Sequence, residues 1–178
     1  MYFLALVAPD NINQQILKWK LWMKENYQCE VALKSPAHIT MVPPFRMNQE
    51  SEDDLIQSIN EFSKTQTNFS IQLNGFSNFK TRVIFVDVVQ NEKLSDLNNS
   101  LLHFLSTADK FPLIKDVMAF HPHIAIATRD LHKKLFFEAW KYFKEKKYNA
   151  EWNAESISLL RHNKRNWDVI NTSQFKMI

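Results

Sequence analysis

Ala37-His38-Ile39-Thr40-Met41-Val42-Pro43-Pro44-Phe45 and Phe120-His121-Pro122-His123-Ile124-Ala125-Ile126-Ala127 are the two stretches that decide how this chain of 178 residues is read. Pro36 stands two residues before His38 and Pro122 directly before His123, and each histidine is followed by an isoleucine and then a small residue. Their alternation predicts strands, so His38 and Thr40 share one face while Ile39 and Met41 share the other. His123 and Ala125 repeat this arrangement against Ile124 and Ile126. The apolar faces can pack on helices, which leaves the polar faces to line a cleft.

Outward from these strands, apolar spacing supplies the rest. The run Met1 to Pro9 reads as a buried first strand, too short and without the basic leader of a signal segment. Asp10 is placed as the N-cap of a helix whose buried stripe is Ile12, Ile16, Trp19, Met23 and Tyr27. A short extended piece is expected over residues 31–33, and Pro43-Pro44 should end the first motif strand. Ser51 and Asp54 resemble a capping box ahead of Leu55, Ile59 and Phe62. Strands follow over residues 69–73 and 83–89, then a helix carrying Leu94, Leu97, Leu101 and Leu105. A connection of mixed charged and apolar residues leads on to His121. Asp130 is expected to cap a helix with Leu135, Ala139 and Phe143 inward, before strands at 156–160 and 167–170. Strand and helix do not alternate strictly, and a strand-helix-strand-helix-strand theme occurs twice. The fold class is therefore α+β with antiparallel sheets, in one domain over residues 1–178 or one domain built from two similar halves.

Composition narrows the function. With 45% hydrophobic residues and 23% charged ones, the chain can bury a sizeable core and is not a disordered tail. A formal charge of +3 suits a phosphorylated ligand without the concentrated excess of a dedicated nucleic-acid binder. The lysine run from Lys144 to Lys147 reads as a solvated helix end. One cysteine, Cys29, excludes an intrachain disulfide framework and fits a cytoplasmic protein. Gly75 is the single glycine, so glycine-rich phosphate loops of the Walker or Rossmann kind are excluded. Side chains must then do any phosphate handling.

Two histidines suit that task. Opening a phosphodiester needs one group to take a proton from the attacking oxygen and another to give one to the leaving oxygen, and an imidazole titrates near working pH. Hydroxyl donors beside the rings would hold the non-bridging phosphate oxygens. His121 shares the parity of His123, but no third ligand in the sequence completes a metal site, and none is expected. His103, His132 and His162 are given no role.

The first motif with its tail, His38 to Phe45, and the second, Phe120 to Ala127, resemble those of the two-histidine phosphoesterase superfamily, which includes the 2'-5' RNA ligases and RNA 2',3'-cyclic phosphodiesterases. The separation of the motifs is also similar to the family's, as are Gly75-Phe76, Phe79 and residues 82–86 between them. The resemblance implies a two-lobed α+β fold with a pseudo-twofold axis, antiparallel sheets flanked by helices, and a central cleft. It implies a hydrolase that opens 2',3'-cyclic phosphates or 2'-5' linkages of RNA ends or nucleotides without a cofactor, with ligation as a further activity of some members. His38 and His123 become the catalytic pair and Thr40 a phosphate ligand.

Ala125 departs from the family pattern, standing where a threonine or serine hydroxyl belongs. Thr128 has the wrong strand parity to replace it, which leaves Ser158 or a nearby cation to compensate. Arg46, Arg161 and Lys164 are candidates to steer phosphate. Phe45 and Trp167 are candidates to stack on a base. The expected partner is an RNA end or nucleotide with a cyclic phosphate, and the expected setting is a cytoplasmic monomer without membrane contact. Ala125 keeps a second function open, a catalytically weak module that binds an RNA end or nucleotide in the same cleft.

Overall fold

The computed structural model describes residues 1–107 and 119–176, so the expected connection over residues 108–118 lies outside the described residues. The chain forms β1 (Tyr2–Val7), α1 (Asp10–Tyr27), β2 (His38–Phe45), α2 (Glu52–Ser63), β3 (Phe69–Phe79) and β4 (Val83–Val88). There follow α3 (Glu92–Thr107), β5 (His123–Ala127), α4 (Lys133–Lys144), β6 (Asn149–Ala154), β7 (Ser156–His162) and β8 (Trp167–Gln174). The strands make two antiparallel sheets of four, ordered β2-β1-β7-β8 and β5-β4-β3-β6. This is the α+β, two-lobed architecture expected from the sequence.

Each histidine strand is the edge of its sheet, and the two edges lie against each other. The helices hold them there by crossing over. α1 links β1 to β2 of the first sheet but packs on β5 of the second, while α3 links β4 to β5 but packs on β2. A buried amide seals one crossing, where Asn98 Nδ2 on α3 donates to the Met41 carbonyl at 2.7 Å. Ile39, Met41, Ile124 and Ile126 are the covered faces of the two motif strands, each at most 1% exposed. The polar faces are thereby turned toward one shared cleft.

Local expectations failed where side-chain chemistry had other uses. Pro43 and Pro44 do not end β2, because an edge strand tolerates residues without N–H groups and the β1–β2 register shifts beside them. Pro9, not Asp10, occupies the cap position of α1, and Ser51 caps α2 without a side-chain hydrogen bond after a 3-10 turn. Residues 31–34 form a 3-10 helix instead of an extended piece. Asp130 caps that short helix, not α4: its Oδ2 accepts from the Glu30 and Val31 amides at 2.6 and 2.7 Å. In α4 the residues turned inward are Phe136, Ala139 and Phe143, with Leu135 exposed. β6 was not foreseen, since its alternation rests on Asn, Ala, Glu and Trp with no β-branched residue. Gly75 earns its place at φ +68°, at the irregularity where the β3–β4 register shifts.

Candidate active site

β2 and β5 present their histidines by the same device. His38 Nδ1 lies 2.7 Å from the Pro36 carbonyl, and His123 Nδ1 lies 2.8 Å from the His121 carbonyl. A carbonyl oxygen only accepts, so Nδ1 carries the proton in both rings and Nε2 is the nitrogen left to meet a ligand. Each ring also rests on a phenylalanine of the strand paired with it. His38 lies 4.9 Å from Phe3 of β1, and His123 lies 5.0 Å from Phe85 of β4, with Phe79 at 4.9 Å. The local sequence explains this: the residue two before the histidine turns its carbonyl back to the ring, and the neighbouring strand supplies the aromatic floor.

Both histidines open onto one cavity of about 220 Å³. Thr40 and Ala125 line it beside them, as strand parity requires. Trp167 lines it as well, held edge-on against Phe3 at 4.7 Å. Sequence reasoning missed Lys20 and Arg129, and it misjudged Thr128; all three line the same space. β5 ends at Ala127, so strand parity does not govern Thr128, and the expectation that it faces away is corrected.

The other named candidates lie elsewhere. Ser158 is buried, with its hydroxyl 3.1 Å from Thr172 Oγ1, and it does not line the cavity. Arg161 Nη1 donates to both carboxylate oxygens of Glu52 at 2.9 Å, and that carboxylate also accepts from the Tyr2 hydroxyl. Phe45 packs its ring toward Tyr2 at 6.1 Å, and Arg46 is exposed; neither lines the cavity. Lys164 also stands outside that lining. His121 Nε2 lies 4.0 Å from Asp87 Oδ1.

The environments of the two rings differ. Burial pushes His38 down to about 4; the Pro36 carbonyl opposes this, and the Lys20 and His123 charges add to it. Burial lowers His123 too, against the His121 carbonyl, with the His121 ring lowering it further and the Asp87 carboxylate raising it. Asp87 stands directly opposite His123 in the β4–β5 ladder, whereas Val7 stands opposite His38 in the β1–β2 ladder. A neutral imidazole is thus favoured on β2, while β5 offers its imidazole a counter-charge.

The chain is similar to known proteins over most of its length. The sequence pattern of the 2'-5' RNA ligase superfamily matches residues 8–166. A Bacillus pumilus (strain SAFR-032) protein named only provisionally as a phosphoesterase is 26% identical over 96 residues, 53% of each chain, so the match spans about half the length of that relative. Among solved structures, E. coli LigT complexed with 3'-AMP superposes with a TM-score of 0.70 at 18% identity, covering 98% of this chain and 97% of that one. A Thermus thermophilus protein gives 0.69 at 15% identity, with the same coverage of each chain.

Proposed function

The chain belongs to the 2'-5' RNA ligase superfamily, and from that membership we propose that it is a phosphoesterase which opens 2',3'-cyclic phosphates, or 2'-5' linkages, of RNA ends or nucleotides without a metal. The observation that carries the reading is the paired presentation of His38 and His123, both locked through Nδ1 and both lining one cavity. E. coli LigT has been crystallised with 3'-AMP, with ATP and with NADP+, which supports a nucleotide in the corresponding cleft. Cys29, a buried thiol, supports a cytoplasmic setting.

In the proposed reaction a water lies between phosphorus and His38. His38 Nε2, neutral at working pH, takes the water proton as the new P–O bond forms. The bond from phosphorus to one ribose oxygen breaks, and His123 Nε2–H gives that oxygen its proton. Burial, with Lys20 adding to it, keeps His38 neutral, while Asp87 works against burial to favour the protonated form of His123, so His38 is the base and His123 the acid. The Thr40 hydroxyl holds a non-bridging oxygen, and Ala125 leaves the other side of the phosphate without its hydroxyl. Trp167 forms a wall against the nucleoside.

Turnover of cyclic-phosphate mononucleotides and oligonucleotides in the presence of a chelator tests the proposal. Hydrolysis that disappears in His38→Ala and His123→Ala is the expected result. Ala125 supports a second reading, a binding module. That reading takes over if the wild-type protein holds a nucleoside monophosphate tightly and releases no product from any cyclic substrate.

A further inference from the structure

Lys20 occupies the buried stripe of α1, one turn from Ile16 and beside Trp19, where an ordinary surface lysine would not be placed. The residue is 3% exposed, yet its side chain lines the cavity. Its Nζ donates to the Ser35 carbonyl at 3.0 Å. A carbonyl is neutral, and no ion pair to Lys20 is formed among the described residues. An ammonium has three donors and, once buried, demands a counter-charge.

Among the described residues the cavity supplies none. The ionisable groups that line it are Lys20 from α1, His38 from β2, His123 from β5 and Arg129 just past β5. All four are neutral or positive, and no carboxylate stands among them. Ser35, just past the 3-10 helix packed on α1, turns a carbonyl to Lys20 instead of a charge, and α4 meets α1 through Trp22, Tyr142 and Phe143 rings. Burial alone therefore governs its protonation, holding it at about 8.

We infer that Lys20 is a ligand of the substrate phosphate, a cation built into the first helix that meets the anion between the two histidines and supplies the contact Ala125 withholds. The inference rests on the phosphoesterase reading for its substrate but not for its test. A buried ammonium on the cavity wall can do the work of the one missing hydroxyl, since charge counts for more there than at the surface. It also explains how a site can lack the second hydroxyl and remain an anion site. Exposed Arg129, at the mouth, is a steering charge by contrast.

Inorganic phosphate is the probe, with affinity measured by calorimetry from about pH 7.5 to about pH 9.5. In that window both histidines, held low by burial, are neutral, and Lys20 titrates. Wild-type affinity is expected to fall about tenfold across it. Lys20→Met should bind phosphate at least about tenfold more weakly at the low end and show no such fall. Lys20→Arg, which keeps its charge throughout, should hold its affinity to the high end. Both variants are checked by thermal melting, and Lys20→Met, having lost a buried charge, should melt no lower than wild type. Unchanged phosphate affinity in a folded Lys20→Met, or a fall that persists in Lys20→Arg, overturns the inference. Lysine-dependent phosphate binding without any cyclic-phosphate turnover would sink the proposed reaction and leave Lys20 in place, whereas turnover untouched by Lys20→Met would do the reverse.

Discussion

On β2 the His38 ring lies against Phe3 with Val7 across the ladder and the Lys20 ammonium nearby, whereas on β5 the His123 ring lies against Phe85 with Asp87 across the ladder. The mechanical half of the site is duplicated: a carbonyl two residues back, an aromatic floor, an edge strand. The electrostatic half is not. Two imidazoles held identically would titrate together and could not divide the work of base and acid. Burial reinforced by a cation acts on one ring, and burial opposed by a carboxylate acts on the other, which separates them. Duplication of a strand can set geometry, and single residues outside the repeated motif then assign the roles.

The comparison breaks outright if either histidine proves dispensable. His38→Ala and His123→Ala should each lower kcat/KM for a cyclic-phosphate substrate by about a thousandfold or more, and the double variant should lose little beyond either single one. Strictly multiplicative losses would show that the rings act separately and not as one unit.

The two crossings of the fold offer a second contrast, read in stability. Asn98 ties α3 to β2 through a buried hydrogen bond, while Asp130 ties the end of β5 to the 3-10 helix after α1. Asn98→Ala strands the Met41 carbonyl in the core and should cost about 1 to 3 kcal/mol in denaturant unfolding. Asp130→Ala, which removes a cap from a short and partly exposed helix, should cost about 1 kcal/mol. Equal costs would mean that the two lobes are fastened with the same strength.

Restoring the second hydroxyl tests the one motif position at which the strands differ. Ala125→Thr should raise kcat by less than about tenfold, since Lys20, Thr128 and Arg129 already line that space. A gain nearer a hundredfold would show that none of them reaches the phosphate.

The smallest effect concerns pH. Activity requires His38 without its extra proton, so the acidic limb of kcat/KM should lie near 4. It requires His123 with its proton, and burial sets the alkaline limb below the ordinary histidine value. Asp87 raises His123, so Asp87→Asn should move the alkaline limb to lower pH and leave the acidic one in place. Movement of the acidic limb instead would reverse the assignment of base and acid. Stability follows the same groups: an imidazole held down in the folded state contributes above about 6.5, and that contribution is lost as pH falls through about 4.

Much of this was legible in the order of residues. The alternation of His38 to Val42 and His123 to Ala127 gave the strands, and their parity put Thr40 and Ala125 beside the rings, because a strand repeats every two residues whatever it packs against. The leucine and isoleucine stripes gave α1 to α3 for the same kind of reason. What escaped depended on partners distant in the chain. A lysine inside an apolar stripe reads as a snorkelling side chain until the fold buries it, as it does Lys20 beside the Ser35 carbonyl. Asp130 before a helix reads as that helix's cap until a second helix end, a hundred residues earlier, comes closer. Arg161 reads as a phosphate ligand until Glu52 is found holding it. Periodicity and the paired motifs determined which faces are polar and which side chains could do chemistry. Tertiary structure decided which charges those side chains meet, because an electrostatic neighbour is chosen by distance in space, and sequence separation carries almost no information about it.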